Sequence, residues 1–275
     1  MARLVIALCT IAILSTLARA AAQDHADLYT THSLVTGQDE RNRPLGFRLC
    51  FEDVLVKVSG DPGITADSRV EDLAVHAGQY ISTYSYRDRF EGKPKHDEQG
   101  TYDRPFFMTC AFDPAKIDAV LSGLGRAPWL APRPALAIVL VVHGRVTSGV
   151  LSSDGPFDPD MRESLAAAAR RYELVVDLPS AATLRNQGIA TEAAAEVPTD
   201  RLRAVAAASG ADLPLVGELI WSDAAHGWVA TWRLATNGGW QRWTVSGVNY
   251  DEAFRVAVRG AMSVLSGHGP PRAEP

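Results

Sequence analysis

A short proline-rich segment near the middle of the chain constrains the fold most, because it divides the sequence into two stretches of domain size. Residues 127–134 hold three prolines, and proline lacks a backbone N–H donor and stiffens the chain. The flanking stretches have about 105 and about 140 residues, each enough for a separately packed domain. We therefore predict domains over residues 21–126 and 135–267, joined by a linker over 127–134 and followed by a flexible tail over 268–275.

Strand and helix patterns alternate along the first of these stretches. Phe47, Phe51, Val54 and Val58 recur every three or four residues, which predicts an amphipathic helix. The glycine- and proline-containing segment 60–63 is expected to end it. With three strand patterns and two further helices, the predicted order is strand, helix, helix, strand, strand, helix.

The second stretch predicts a small sheet with helices packed on it. Residues 136–142 are apolar at every position, as expected for a central strand that is covered on both faces. Three strand patterns joined by tight glycine-containing turns predict a three-stranded meander. A last helix carries Phe254 and Val258 on its buried side. The fold class is therefore α/β (α+β): two small domains, each with a short mixed or antiparallel sheet and packed helices.

The first residues have the layout of a cleavable secretory signal peptide. Arg3 precedes an uncharged apolar run from Leu4 to Leu17, and Ala18 and Ala20 are the small residues that a signal peptidase reads. The run is shorter than the roughly twenty residues of a membrane-spanning helix. We therefore expect a periplasmic protein, not membrane-embedded once residues 1–20 are removed. The alternative is an uncleaved amino-terminal anchor.

The charge balance and the motifs disfavour several function classes. The chain has 27 basic and 32 acidic residues, a net charge of −5, whereas non-specific nucleic-acid binding depends on clustered positive charge. The sequence has no phosphate-binding loop, no His-Glu-x-x-His, no Gly-x-Ser-x-Gly and no Cys-x-x-Cys. We expect no nucleic-acid partner, assign no catalytic, cofactor-binding or metal-binding residue, and lean against an enzyme.

Two cysteines, Cys50 and Cys110, follow the leader. Cys50 shares a helical face with Phe51, and Cys110 alternates with Met108 and Phe112 on a predicted strand. Both therefore point into the core of the first domain, and an oxidising compartment allows them to pair. The sequence leaves open either a disulfide bond or two buried thiols.

Two clusters of polar residues are candidate functional sites, and each also has a purely structural interpretation. Within the loop 91–104, residues 96–98 supply an imidazole and two carboxylates, which are groups suited to acid–base chemistry. A solvated loop is the plainer interpretation. Asp154, Asp158 and Asp160 could bind a divalent cation. Their spacing does not match a calcium loop, and a turn followed by a helix cap is favoured.

Five tryptophans fall between residues 221 and 243. Trp228 and Trp232 lie on one face of their strand, and we expect that face to be core under the last helix. Trp240 and Trp243 have opposite parity, so at least one of them faces away from that helix. We therefore predict Trp240 and Trp243 as candidate partner-binding residues, because exposed aromatic side chains mark interaction surfaces.

Several segments together carry a family resemblance. They are the helix and its stop at 48–62 (RLCFEDVLVKVSGDP), residues 86–89 (YRDR), residues 112–117 (FDPAKI) and the strands 215–219 and 228–234. They resemble the exported bacterial family catalogued as domain of unknown function 2066. The resemblance implies an exported protein and assigns no activity. The element order of the second stretch is also similar to that of small envelope domains that bind other proteins.

The function expected from these observations is a non-enzymatic module that binds a protein partner in the periplasm. Such a module needs an exposed apolar or aromatic patch. One alternative is a cell-envelope hydrolase with its site in the 91–104 loop, which needs a cleft with convergent ionisable groups. The other is a soluble carrier of a small apolar ligand, which needs an apolar cavity between helix and sheet.

Overall fold

The computed structural model describes residues 28–92, 104–190, 196–236 and 238–271, and these form two compact units. The first unit contains the described residues up to Ser59 together with Gly63–Leu130, and the second contains Gly60–Pro62 and the described residues from Ala131 onward. The fold class is mixed α/β, as predicted, with seven α-helices and two sheets in the described ranges. The predicted leader lies outside the described residues.

The first unit is a three-stranded antiparallel sheet with a long helix packed on one face. Its strand order is β1–β3–β2, and the predicted order of helices and strands is confirmed. Its elements are β1 (Thr30–Thr36), α1 (Arg43–Ser59), α2 (Ser68–Ala74), β2 (Ile81–Asp88), β3 (Pro105–Phe112) and α3 (Pro114–Gly123), with 3₁₀ turns at Pro62–Ala66 and Ala77–Tyr80.

Helix α1 forms the core of the first unit, as its hydrophobic period predicted. Phe51, Val54 and Val58 are fully buried. The helix approaches the sheet most closely at Gly46, where a Cβ atom would lie 2.7 Å from the Met108 sulfur. It ends where Gly60 adopts a φ of 71°, the left-handed conformation that glycine accepts without strain.

The second unit is a six-stranded mixed sheet with helices on both faces. The strand order is β5–β4–β7–β8–β9, with β6 pairing with β4. Strands β4 and β7 are parallel, and β7, β8 and β9 form the predicted antiparallel meander. Its elements are β4 (Leu136–His143), β5 (Ser148–Leu151), α4 (Pro159–Arg171), β6 (Val176–Asp177), α5 (Ala181–Asn186), α6 (Thr199–Ala208), β7 (Leu213–Ser222), β8 (Gly227–Thr236), β9 (Gly239–Val248) and α7 (Tyr250–Leu265).

One face of the second sheet, here called the α7 face, packs against α7, which also contacts α4. Trp232 is fully buried there, and its ring centroid lies 6.3 Å from that of Phe254. Gly217 makes room for it, since a Cβ atom at that position would lie 2.1 Å from the indole. The predicted core role of Trp232 under the last helix is confirmed.

The opposite face, here called the α6 face, is covered in part by α5 and α6. Val139 and Val141 of β4 and Val216 of β7 pack there against Leu202 and Val205 of α6. These alternating valines explain why β4 is apolar at every position: its side chains are buried on both faces of the sheet.

Two short elements of the second unit, β5 and α5, were not predicted from the sequence. Strand β5 has four residues and α5 has six, so neither is long enough to display a hydrophobic period. A usable signal for α5 was present in Ser180, whose hydroxyl accepts the Thr183 N–H at 3.1 Å as a helix N-cap. No helix within the described ranges is long and apolar enough to cross a membrane.

Candidate functional site

The α6 face changes from buried to accessible along the strands. Val141 and Val216 are buried, whereas two residues further along each strand His143 and Glu218 keep 32% and 25% of their side-chain surface exposed. Ile220 of β7 is 44% exposed. By strand alternation, the same side of the meander carries further polar residues. We call this part of the sheet the open face; its residues are His143, Glu218, Ile220, Thr231, Arg233, Arg242 and Thr244.

Strand register brings two arginines together on the open face. Arg233 of β8 stands directly opposite Arg242 of β9, and Thr231 stands opposite both Glu218 and Thr244. Directly opposed side chains in an antiparallel pair have Cβ atoms about 5 Å apart. Two guanidinium groups therefore occupy neighbouring positions, with the Glu218 carboxylate on the diagonal.

The environment of Arg233 reflects this arrangement. Its guanidinium carbon lies 4.6 Å from the centre of the Trp240 ring, a cation–π contact. Burial lowers the pKa of Arg233, and the like charge of Arg242 lowers it further, while Glu218 acts in the opposite direction. The site is therefore cationic and partly shielded from water, in a chain whose net charge is negative.

A histidine and a carboxylate meet at the end of the parallel strands. The Nε2 atom of His143 lies 3.5 Å from Oε1 of Glu218, an ion pair when the imidazole is protonated. Ser148 of β5 stands opposite His143 in the register and is exposed. In the described part of the chain no hydrogen bond joins the serine to the imidazole, so the nucleophile–base contact of a hydrolytic triad is not formed.

The two predicted partner-binding tryptophans lie on opposite faces of the sheet. Trp243 faces α7 and is 3% exposed, and its Nε1 donates to the Val256 carbonyl at 3.2 Å. The interpretation of Trp243 as a surface residue is therefore wrong, since α7 covers it. Trp240 is half-buried on the α6 face, where its Nε1 donates to the Thr199 hydroxyl at 3.3 Å. Trp240 borders the open face through Arg233.

The predicted polar clusters have different outcomes. Asp158 accepts the Met161 N–H at 3.0 Å at the start of α4, and Asp154 accepts the Ala181 N–H at 2.7 Å at the start of α5. The favoured interpretation as turn and helix-cap residues thus describes both carboxylates. Among the described residues no group of three or more metal-ligating side chains comes together. The loop residues 96–98 lie outside the described ranges.

The two cysteines are adjacent in the core of the first unit. Cys50 of α1 and Cys110 of β3 are fully buried, with Cα atoms 6.3 Å apart. That separation lies within the usual range for disulfides, and the sulfur atoms lie at disulfide-forming distance. The structure therefore meets the geometric requirement that the sequence alone left open.

An apolar groove of about 570 Å³ lies between α2 and α3 of the first unit. Leu73 and Val120 line it beside Arg69 and Lys116. Lys116 donates to the Gln79 carbonyl at 2.7 Å, and Arg69 donates to the Gly123 carbonyl at 3.0 Å. Both cations therefore hold the local fold together. The groove separates two helices, whereas the carrier hypothesis required a cavity between helix and sheet.

The fold and this geometry define an α/β protein of two units with a cationic open sheet face on the second. A family model described as domain of unknown function (DUF8605) matches residues 22–130. This finding corrects the resemblance to domain of unknown function 2066, since the family model that matches is a different one. No curated protein and no solved structure matches the chain. The family match covers the first unit and stops before the open face.

Proposed function

We propose that the chain is exported to the periplasm, where it binds a protein partner of the cell envelope through the open face. The observation that carries the proposal is the half-covered α6 face: helices bury Val139, Val141 and Val216, while Ile220 stays 44% exposed. The leader pattern of residues 1–20 supports export.

The composition of the open face fits a protein interface. Arginine and aromatic residues are enriched at the centres of interfaces, and hot spots concentrate there. The open face offers Arg233 stacked on Trp240, with Arg242 beside it and the exposed Ile220 on a neighbouring strand. Such a face provides apolar area for burial and charged groups for specificity.

Site-specific photo-crosslinking in intact cells tests the proposed face. We expect a photoreactive residue at Ile220 to give a discrete adduct with one envelope protein, to be identified by mass spectrometry and then bound in purified form. Val175, a 54% exposed apolar residue that precedes β6, is the matched control and is expected to give no such adduct. Equal adducts at both positions, or none at Ile220, contradict the proposal.

Export has its own test. The mature protein recovered from the periplasmic fraction is expected to begin at Ala21, and intact mass measurement reads this directly. A full-length chain that retains residues 1–20 in the membrane fraction would instead show the uncleaved anchor.

A further inference from the structure

The last strand of the meander, β9, forms an edge of the second sheet beside the open face. Among the described residues β9 pairs only with β8, and no backbone hydrogen bond joins it to any other described segment. The edge of a sheet presents a row of backbone N–H and C=O groups, which another extended chain matches in spacing and polarity. The chemistry of this edge therefore suits a further strand.

The register of the β8–β9 hairpin identifies the backbone groups that point outward. Thr236 and Gly239 stand directly opposite each other at its closed end, and a two-residue hairpin turn closes on a hydrogen-bonded pair. Hydrogen-bonded and non-hydrogen-bonded pairs then alternate along an antiparallel ladder. Trp240, Arg242 and Thr244 therefore direct their backbone groups away from β8, and each offers one donor and one acceptor.

The strand carries none of the features that usually block an exposed edge, which are proline, lysine, a bulge or a very short length. The segment Gly239–Val245 has neither proline nor lysine and pairs with β8 in an unbroken register. Other edges of the two sheets differ. Strand β5 has only four residues, β2 has a register irregularity, and carbonyls of β1 accept side-chain hydrogen bonds from Asn42 and Lys57.

The charge of β9 favours a strand from another protein over a second copy of this chain. The strand contains one arginine and no acidic residue, and Arg242 is exposed at the middle of the three outward-facing positions. If two copies of β9 paired through all three positions, a two-fold axis would set Arg242 directly opposite its counterpart. Like charges at directly opposed positions destabilise strand pairing, whereas a different protein can place any side chain there.

We infer that an extended segment of the envelope partner adds a strand to β9 and continues the sheet beyond the open face. Backbone hydrogen bonds to Trp240, Arg242 and Thr244 supply affinity, and the alternating side chains of the segment supply specificity. Every second one of these side chains lies on the side of the open face. The inference rests on the proposed function and specifies the form in which the partner binds.

A proline at position 244 blocks strand addition without removing a bond of the β8–β9 ladder. The Thr244 N–H points away from β8, so Thr244→Pro deletes an outward donor and places the ring where the added strand would lie. Thr244→Ala is the matched control, because it shortens the same side chain and keeps the N–H. The two variants are expected to have similar urea midpoints, which checks that the sheet is intact.

Binding is measured with the purified protein identified from the Ile220 adduct. We expect Thr244→Pro to weaken binding about tenfold or more, because a backbone bond is lost and the ring obstructs its neighbours. Thr244→Ala is expected to bind nearly as well as the wild type. Equal binding by Thr244→Pro and Thr244→Ala overturns strand addition.

Amide hydrogen exchange of the wild-type protein, read by NMR, tests the inference without a substitution. In the isolated protein the N–H groups of Arg242 and Thr244 are expected to exchange faster than those of Gln241 and Trp243, which bond to β8. With the same purified partner bound, exchange at Trp240, Arg242 and Thr244 is expected to slow at least about tenfold. Unchanged rates at these three amides in the complex contradict an added strand.

The crosslink at Ile220 distinguishes failure of this inference from failure of the proposed function. Loss of the adduct in Thr244→Pro, with retention in Thr244→Ala, supports strand addition. An adduct that persists in Thr244→Pro overturns strand addition and leaves the binding face standing, whereas no adduct in the wild type contradicts both. If the adduct is a second copy of this chain, and sedimentation shows a dimer that Thr244→Pro dissociates, the assignment to an envelope partner is overturned.

Discussion

The contact between α7 and Trp243 gives the sharpest test of the second unit's core. Gly260 lies in the interior of α7 and is buried. A Cβ atom there would lie 2.3 Å from Cε2 and 2.4 Å from Nε1 of Trp243. Both distances are far below van der Waals contact, so Gly260→Ala forces either the helix or the indole to move.

Two opposing effects decide the outcome of Gly260→Ala. Replacing glycine by alanine inside a helix gains about 1 kcal/mol in helix propensity. Overpacking a well-filled core costs about 1–3 kcal/mol. Displacement of the indole also breaks the bond from its Nε1 to the Val256 carbonyl, which contributes about 1 kcal/mol. The indole is 3% exposed and has no open space to enter, so we expect a net destabilisation of about 2 kcal/mol.

Urea denaturation followed by tryptophan fluorescence measures the free energy of unfolding of the second unit. Five of the six tryptophans belong to the second unit, and only Trp129 belongs to the first. Gly123→Ala is the control, since a Cβ at that helical position meets nothing within 4 Å and is expected to leave the protein as stable or slightly more so. A Gly260→Ala protein as stable as the wild type would refute the close packing of α7 on Trp243.

Three further predictions concern the cysteine pair, an ion pair of the first unit and the N-cap of α7. The Cys50→Ala/Cys110→Ala protein is expected to lose about 4 kcal/mol of first-unit stability, since a bridge between these cysteines would close a loop of 60 residues; two free thiols in wild-type protein purified without reductant, read by mass spectrometry, would contradict this. The Arg69 guanidinium lowers the pKa of Asp67 to about 2, so its stabilising effect is present above the ordinary carboxyl pKa and is lost as the pH falls towards 2. Carbon-detected NMR titration is expected to show this low value, and Arg69→Gln to raise it; an unchanged value would refute the pairing. Asn249→Ala is expected to cost about 1 kcal/mol, because the Asn249 side chain accepts the Glu252 N–H at 2.8 Å at the start of α7, and an unchanged urea midpoint would count against that cap.

Long elements with a strong hydrophobic period were predictable from the sequence because their burial pattern follows the period directly. Helix α1 buries Phe51, Val54 and Val58, and α7 buries Phe254 and Val258, as their spacing predicted. The short elements β5 and α5 were not predictable in this way. The place of β5 is set by its hairpin pairing with β4, and that of α5 by packing against α6, which are contacts that the pattern within each short element does not show.

The direct opposition of Arg233 and Arg242 could have been predicted from the sequence. The structure pairs Thr236 with Gly239, and the predicted glycine-containing turn at 237–239 marks that point in the sequence. Counting outward from this pair places Arg233 opposite Arg242 and Trp232 opposite Trp243. Parity alone places Trp240 and Trp243 on opposite faces, whereas the register also identifies the charged residues that stand opposite each other.

Element lengths explain why part of the α6 face stays open. Helix α6 has ten residues and so spans about 15 Å, whereas β8, also of ten residues, spans about 33 Å. Helix α5 has six residues, which adds about 9 Å. These helices bury Val139, Val141 and Val216 and are too short to reach the far ends of the strands. The residues beyond their reach are Glu218, Ile220 and Thr231, next to the arginine pair. The accessibility of the open face is therefore a consequence of helix length, and a partner that binds there would extend the cover that α6 begins.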